Sequence, residues 1–433
     1  MQPNVGPVQK RWHGWIGLIG ILLLLGGLQI DVLHQISKGR ASAELTYYRA
    51  AGALRHGNDP YVARGNVFPY VYPPLYALCF EPLTFLSQPA AARVMLALNS
   101  AFILAALLLC MHAMRRRVGC AGNFGDVMFS AMIAAVIVSI PIHNELRGLE
   151  TNSLVLLSFA LAFYWIDRHP VLAGIALAAA INIKYLPIIA VPYFLLRRRW
   201  TAAAATLIAT VAIALLPALS LGWSTNLRYL HEAVGGLGHL TGGTSGAGNA
   251  KINGADDLSS LSITSTVARL SASSQWSKPI QLGIVGAVAA VWGACILLAY
   301  KRRGLAILRW PSAIGQNRPR FTKLLALEWG ALVTFAVAFS PNTQNRNLVL
   351  AIIPATYAVA LLCAPIAGRR RAIVAGAAIV LAIGLTLPVA FMGKPFTVSW
   401  LATGGPCWCL LIAFVVLSWV GTTLAGPVAE VEA

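Results

Sequence analysis

Runs of about 20 apolar residues, the length needed to cross a bilayer, recur near 13–31, 93–114, 124–142, 152–166, 201–222, 280–299, 324–340, 348–367, 372–391 and 406–425. Short polar breaks separate them, so the pattern predicts spanning helices rather than a soluble core. The stretch 171–196 differs, because Asp167-Arg168-His169 precedes it and Arg197-Arg198-Arg199 follows it. One helix cannot return to its own side. Two short helices meeting near Lys184-Tyr185-Leu186-Pro187 can, since proline breaks the backbone ladder there. Counting that hairpin as two gives about twelve membrane segments, in an all-α integral membrane protein read as a single polytopic domain over 1–433. The first run has no small-residue cleavage site behind it, so it is expected to remain as a span.

Two longer breaks stand out. Residues 32–92 are too polar and too numerous for a simple connector. Within them, Glu44 to His56 reads as a helix in the outer interface ended by Gly57. Pro74 to Leu86 reads as a second such helix with prolines in its first turn, too short to cross. Residues 223–279 are rich in Gly, Ser, Thr and Asn from Gly235 to Ser262, which predicts a flexible external loop.

Composition agrees with the pattern. Of the 433 residues, 58% are hydrophobic and 11% charged, against about 25% charged in soluble domains. The formal charge of +19 raises the question of nucleic acid. Yet the basic residues fall in short clusters between apolar runs: Lys10-Arg11, Arg115 to Arg117, Arg197 to Arg199, Lys301 to Arg303 and Arg369 to Arg371. That is the distribution of cytoplasmic loops, so no nucleic-acid partner is expected. It places both termini in the cytoplasm of a cell-membrane protein and the loops 32–92 and 223–279 outside. The seven cysteines lie mostly in or beside apolar runs and read as small buried hydrophobes.

With the sides assigned, the outer polar residues can be collected. They are Glu44, Asp59 in Gly57-Asn58-Asp59-Pro60-Tyr61, Arg147 and Glu150 in NELRGLETN, Lys184 at the hairpin apex and Arg346 in SPNTQNRN. Cations around one or two carboxylates suit a site that binds a phosphate while a carboxylate accepts a proton. Each residue has a plainer reading. Glu44 suits the positive end of its helix, Asp59 is a turn former, and Lys184 can snorkel to the interface. The tyrosines 47, 48, 61, 70 and 72 suit an interfacial belt or a sugar-stacking surface. His231 and His239 lie in the expected flexible loop. No His, Asp, Glu or Cys spacing resembles a metal site, Asp256-Asp257 being an acidic pair without companions. No nucleotide-binding loop or serine elbow is visible, so neither metal nor cofactor is expected.

ELTYY (44–48), GNDPY (57–61), FPYVYPPL (68–75) and EPL (81–83) in this order resemble the first external loop of glycosyltransferase family 87. NIKYLP (182–187) and SPNTQNRN (340–347) resemble its later hairpin and Ser-Pro turn. The resemblance implies a GT-C-type helical bundle that takes a sugar, mannose above all, from a polyprenyl-phosphate donor. It implies a lipid or glycan acceptor, membrane lipids as surroundings, and a metal-independent inverting displacement. Glu44 would be the general base, where the family prefers aspartate, with Asp31 as its rival. Lys184, Arg346 and Arg147 would hold the donor phosphate. Tyr47, Tyr48, Asp59, Tyr61, Tyr72, Glu150, Asn152 and Asn345 would line the sugar and acceptor sites. Two departures accompany the match. The family's Gly-Gln-x-Asn turn is Leu149-Glu150-Thr151-Asn152 here, and histidines of the Ser-Pro turn are replaced by Asn345, Arg346 and Asn347. A lipid-sugar flippase would also use broken helices, and enzymes taking other lipid-linked sugars, such as arabinose, or diphosphate-linked glycans would need similar cations.

Overall fold

The computed structural model describes residues 7–39, 43–62, 70–120, 122–240, 257, 259–305, 318–386 and 393–425. Among them every regular element is helical, and the single β contact is an isolated bridge between Ser260 and Gln344. Among the described residues seven helices are long and apolar enough to cross a membrane, or eight if one bent pair counts as a span. This is a multi-pass membrane protein.

Helix α1 (Pro7–Ser37) lies against α5 (Phe124–Ile137). Glycine permits the approach, since a Cβ on Gly17 would meet the Phe129 backbone nitrogen at 2.5 Å. Then α5 breaks by 75° into α6 (Ser139–Gly148), where the sequence suggested one continuous span. Asn123 and Asp126 cap the start of α5 reciprocally. The long α4 (Gln88–Arg117) lies beside α7 (Asn152–Trp165), and α7 beside α8 (Pro170–Ile181).

The expected hairpin is present. Helix α8 ends at Ile181, Asn182 ties the turn by donating to the Ala178 and Thr210 carbonyls at 2.9 and 3.1 Å, and a 3-10 turn (Leu186–Ile189) leads into α9 (Ala190–Leu196). Lys184 sits at the apex. Helices α7, α8 and α9 are shorter than a bilayer crossing: at 1.5 Å per residue, a 14-residue helix reaches only about 21 Å of the roughly 30 Å core. They shelter between α4 and α10 (Trp200–Leu215). At the other end of the hairpin, Arg117 and Arg199 hold Asp167 at 2.9 and 2.6 Å. Arg197 pairs with the buried Glu328, which also accepts from Tyr193 and Tyr300 at 2.9 Å each. Trp329 stacks between Phe163 and Phe194 in the core beside it.

Between α1 and α4 the described residues form two short helices. Helix α2 (Ala43–Arg55) is followed by Gly57 with φ +71°, the left-handed turn that glycine adopts freely. Helix α3 (Pro74–Phe80), with proline in its first turn, runs into a 3-10 turn (Glu81–Phe85). The 223–279 stretch differs from a flexible loop at both ends. A short α11 (Ala218–Leu221) precedes α12 (Trp223–Leu240), and α13 (Ile263–Ser274) begins at a Ser262 cap. Its α12 is amphipathic, burying Asn226, Tyr229 and Ala233 along one face, a period that loop composition conceals. Residues 241–256 and 258, including Asp256, lie outside the described residues.

Six further described helices complete the bundle: α14 (Lys278–Arg302), α15 (Arg318–Phe339), α16 (Ile352–Cys363) after a 3-10 turn (Asn345–Ala351), α17 (Gly368–Leu385) and the pair α18 (Gly393–Ala402) and α19 (Gly405–Leu424). The turn before α16 sits against α6 and α7, which brings residues 145–153 to residues 345–351.

Candidate active site

Between α6 and α7 the chain reverses through Leu149, whose φ of 48° and ψ of 42° lie in the left-handed region. That conformation costs a non-glycine residue roughly 1–2 kcal/mol. Burial of the Leu149 side chain, 1% exposed, offsets the strain. It also explains why a glycine suits this place in the turn pattern. The reversal turns Glu150 and Asn152 inward, where both are buried.

Glu150 is the hub. Its Oε2 meets Lys184 Nζ at 2.9 Å and its Oε1 meets Arg346 Nη1 at 2.9 Å. Lys184 also donates to Asn152 Oδ1 at 2.7 Å. The Asn152 amide donates to Glu145 Oε2 at 2.8 Å and to Glu150 Oε2 at 3.4 Å. Because carboxylates only accept, the amide nitrogen must face them and the amide oxygen must face Lys184. Asn99 donates to the Glu150 carbonyl at 2.9 Å, and Ser153 donates its hydroxyl to Asn99 and its backbone N–H to Glu145. Three chain segments, the 149–153 turn, the hairpin apex and the Ser-Pro turn, thus meet at one carboxylate.

Burial works against the Glu150 charge, yet Lys184 and then Arg346 hold its carboxyl below the ordinary value. Burial likewise pulls the Lys184 ammonium down, and Glu150 more than reverses this, leaving it above its ordinary value. Both are charged at neutral pH. The cations keep some exposure, 28% for Arg346 and 16% for Lys184, against 7% for Glu150, so it is the cations that an incoming anion would reach.

An aromatic wall covers this cluster. The Tyr72 ring stands 5.9 Å from Lys184 Nζ, and Tyr47 of α2 packs on Tyr72, Tyr76 and Phe80 at 5.1–5.5 Å. The wall continues through Tyr70 and Tyr61 to Tyr229 of α12. Tyr61 donates to the Tyr72 carbonyl at 2.7 Å, and Tyr70 donates to the Pro73 carbonyl while accepting from the Ala77 N–H. Burial pushes the Tyr47 and Tyr72 hydroxyls up, so they remain protonated donors.

The structure therefore gathers Glu150, Asn152, Lys184, Arg346, Tyr47 and Tyr72. Asn345, half-buried, opens the turn that carries Arg346. Tyr61 joins them through the aromatic wall, whereas Arg147, Asp31, Tyr48 and Asp59 make other contacts. Arg147 is exposed and its Nε donates to Gln35 at 3.2 Å. Asp31 accepts from Gln35 at 2.8 Å and lies 3.7 Å from His143, making a second polar group at the end of α1. Tyr48 donates to the Leu86 carbonyl and braces the first loop. Asp59 accepts from the Tyr61 N–H at 2.9 Å as a turn former and lies 3.7 Å from Arg228. For Glu44 only the helical backbone position is described, one turn before Tyr47; its side chain lies outside the described residues, as does that of His239. Sequence reasoning missed Glu145, Asn99 and Ser153. An amide inside the apolar run 93–114 is the signal that marks Asn99, whereas Glu145 stands in the polar turn NELRGLETN. Among the described residues no three His, Cys, Asp or Glu side chains come together as metal ligands would.

The family model "Glycosyltransferase family 87" matches residues 70–341. A "polyprenol-phosphate-mannose-dependent alpha-(1-2)-phosphatidylinositol mannoside mannosyltransferase" from Mycolicibacterium smegmatis is 31% identical over 240 residues, covering 52% of this chain and 50% of that protein. The protein of the same description from Mycobacterium tuberculosis is 28% identical over 172 residues, 38% of this chain and 40% of that one. The chain thus aligns with about half the length of these curated relatives. Among solved structures, apo ArnT from Cupriavidus metallidurans aligns over 94% of this chain and 78% of its own, with a TM-score of 0.36 and 15% identity.

Proposed function

The chain belongs to glycosyltransferase family 87, and from that premise we propose that it moves a sugar, mannose first, from a polyprenyl-phosphate carrier to a lipid or glycan acceptor on the outer membrane face. The observation that carries this reading is the meeting of Lys184 and Arg346, from distant segments, at one anionic position beneath a tyrosine wall. Two partly exposed cations suit one lipid phosphate. The aromatic faces of Tyr72 and Tyr47 suit the apolar face of a hexose.

The reaction is a single inverting displacement. The acceptor oxygen forms a bond to the anomeric carbon while the bond from that carbon to the phosphate oxygen breaks, its electron pair leaving on the polyprenyl phosphate. The acceptor proton passes to a carboxylate. Lys184 and Arg346 stabilise the charge growing on the departing phosphate, and Asn152 fixes the lysine. Glu44 is assigned as the base from its place in α2, one turn before Tyr47; Asp31, partly exposed beside Gln35 and His143, is the second candidate.

Purified protein in lipid, given labelled polyprenyl-phosphate mannose and membrane lipids, is expected to form a labelled glycosidic product. Removal of a general base costs about 10²–10⁴ in rate, so Glu44→Gln should cut transfer at least a hundredfold with normal expression. A fully active Glu44→Gln enzyme moves the role to Asp31. Movement of the lipid-linked sugar across the bilayer without a new glycosidic bond would make the protein a flippase instead.

A further inference from the structure

Glu150 poses a problem that the transfer reaction does not explain. A site meant to hold a phosphate on Lys184 and Arg346 already contains a carboxylate bonded to both, at 2.9 Å each. Removing that carboxylate would leave a stronger anion site. Its presence has a use once the charges of the two lipid phosphates are compared. The donor is a phosphodiester with one negative charge. The lipid left after transfer is a phosphate monoester with about −1.5 to −2 at pH 7. Two uncompensated cations would favour the product over the donor and hold it after each turnover.

Building on the donor assignment above, we propose that Glu150 is a charge-balancing residue that tunes the Lys184–Arg346 pocket to the monoanionic donor and loosens its grip on the more highly charged lipid phosphate. It acts through the two cations, as a positioning residue. Its buried side chain presents one oxygen to each, so it both spaces them and subtracts one charge from the pair. Glu145 stands on the other side of the Asn152 amide, 2.8 Å away, with its second oxygen taken by the Ser153 N–H. It touches neither cation, and any charge it carries acts in the same direction as that of Glu150.

The test compares two ligands of one short polyprenyl chain, the phosphate monoester and its methyl diester, by equilibrium binding, so that an inactive variant still reports. The measured quantity is the preference for the monoester. Glu150→Gln is expected to raise that preference about tenfold or more, as an added unit charge within a few ångströms of the ligand should. Arg346→Gln is expected to lower it, and the double variant, which restores the original charge, to return it near the wild-type value. Added salt should shrink these differences. An unchanged preference in Glu150→Gln, or a double variant that fails to revert, overturns the proposal while leaving the donor assignment standing. If wild-type protein binds neither ligand, the donor assignment itself falls and the proposal with it. Should Glu150→Gln fail to fold, the double variant set against Arg346→Gln decides: removal of the Glu150 charge must raise the monoester preference from the Arg346→Gln value to near the wild-type one, whereas a purely structural Glu150 leaves it at the Arg346→Gln value.

Discussion

At the scale of single residues, a buried carboxylate is costly unless its charge is matched, and the matching here runs through Lys184 and Arg346. The two turns in which the sequence departs from the resemblance drawn above, Leu149 to Asn152 and Asn345-Arg346-Asn347, meet in the ion pair of Glu150 and Arg346. Each would be awkward alone; together they change the pocket's charge little. The pairing also fixes a pH dependence. The Glu150 carboxyl is held down, so the stability it brings is present above the ordinary carboxylate value near 4.3 and is lost as pH falls through the depressed one. The Lys184 ammonium is held up, so its share is whole below the ordinary value near 10.4 and is lost as pH rises through the raised one. Thermal unfolding in detergent should therefore show a gap between wild type and Glu150→Gln that closes as pH falls below the ordinary carboxylate value. A gap that persists at the lowest pH where the protein folds would mean Glu150 does not act by charge.

Elements bring these residues together through close helix contacts that hydropathy alone does not reveal. The α8–α10 crossing depends on Gly174, where a Cβ would sit 2.7 Å from Ala205 Cβ and 2.8 Å from the Ala202 oxygen and the Thr206 nitrogen. Two of those obstacles are backbone, so they cannot swing aside. Gly174→Ala should cost about 1–3 kcal/mol and, by shifting the hairpin that ends in Lys184, raise KM for the donor. Gly286→Ala, at a glycine with nothing within 4 Å, is the matched control and should change neither. The hairpin itself was legible in sequence, because basic clusters at both ends forbid a single crossing and Pro187 marks the break. The helices of the first loop were legible from Gly57 and the prolines near 74. The 75° break at Val138 has its signal in Pro141, which offers no N–H to the Ile137 carbonyl that Thr386 takes instead at 2.9 Å, but the apolar run around it reads as one continuous span. Helix α12 was not legible, for its buried face of Asn226, Tyr229 and Ala233 includes a polar residue. Asn99 stayed hidden because its partners lie across a helix contact, with residue 150 being 51 positions away.

For the whole molecule, the order of polar turns along the chain already pointed to one face, and the geometry joins three of them. Arg147, Asp59 and Tyr48 show the limit of that reasoning, for an expected common side of the membrane does not amount to a common site. Sidedness can be read with native cysteines. Cys79 is exposed on α3, close to the aromatic wall, while Cys363 is exposed at the end of α16 remote from Arg346. In intact cells a membrane-impermeant maleimide should label a variant keeping only Cys79, and should label one keeping only Cys363 only after lysis; the reverse would invert the proposed topology. The central claim, that Lys184 and Arg346 receive the donor's phosphate, is tested most directly by determining the structure in lipid nanodiscs with a bound polyprenyl phosphate. The account predicts phosphate oxygens within about 3 Å of Lys184 Nζ and the Arg346 guanidinium, as charge-assisted hydrogen bonds require, with the chain running out past Tyr72. A lipid phosphate seated elsewhere, for example at Arg197 to Arg199, with Glu150 still holding both cations, would contradict it.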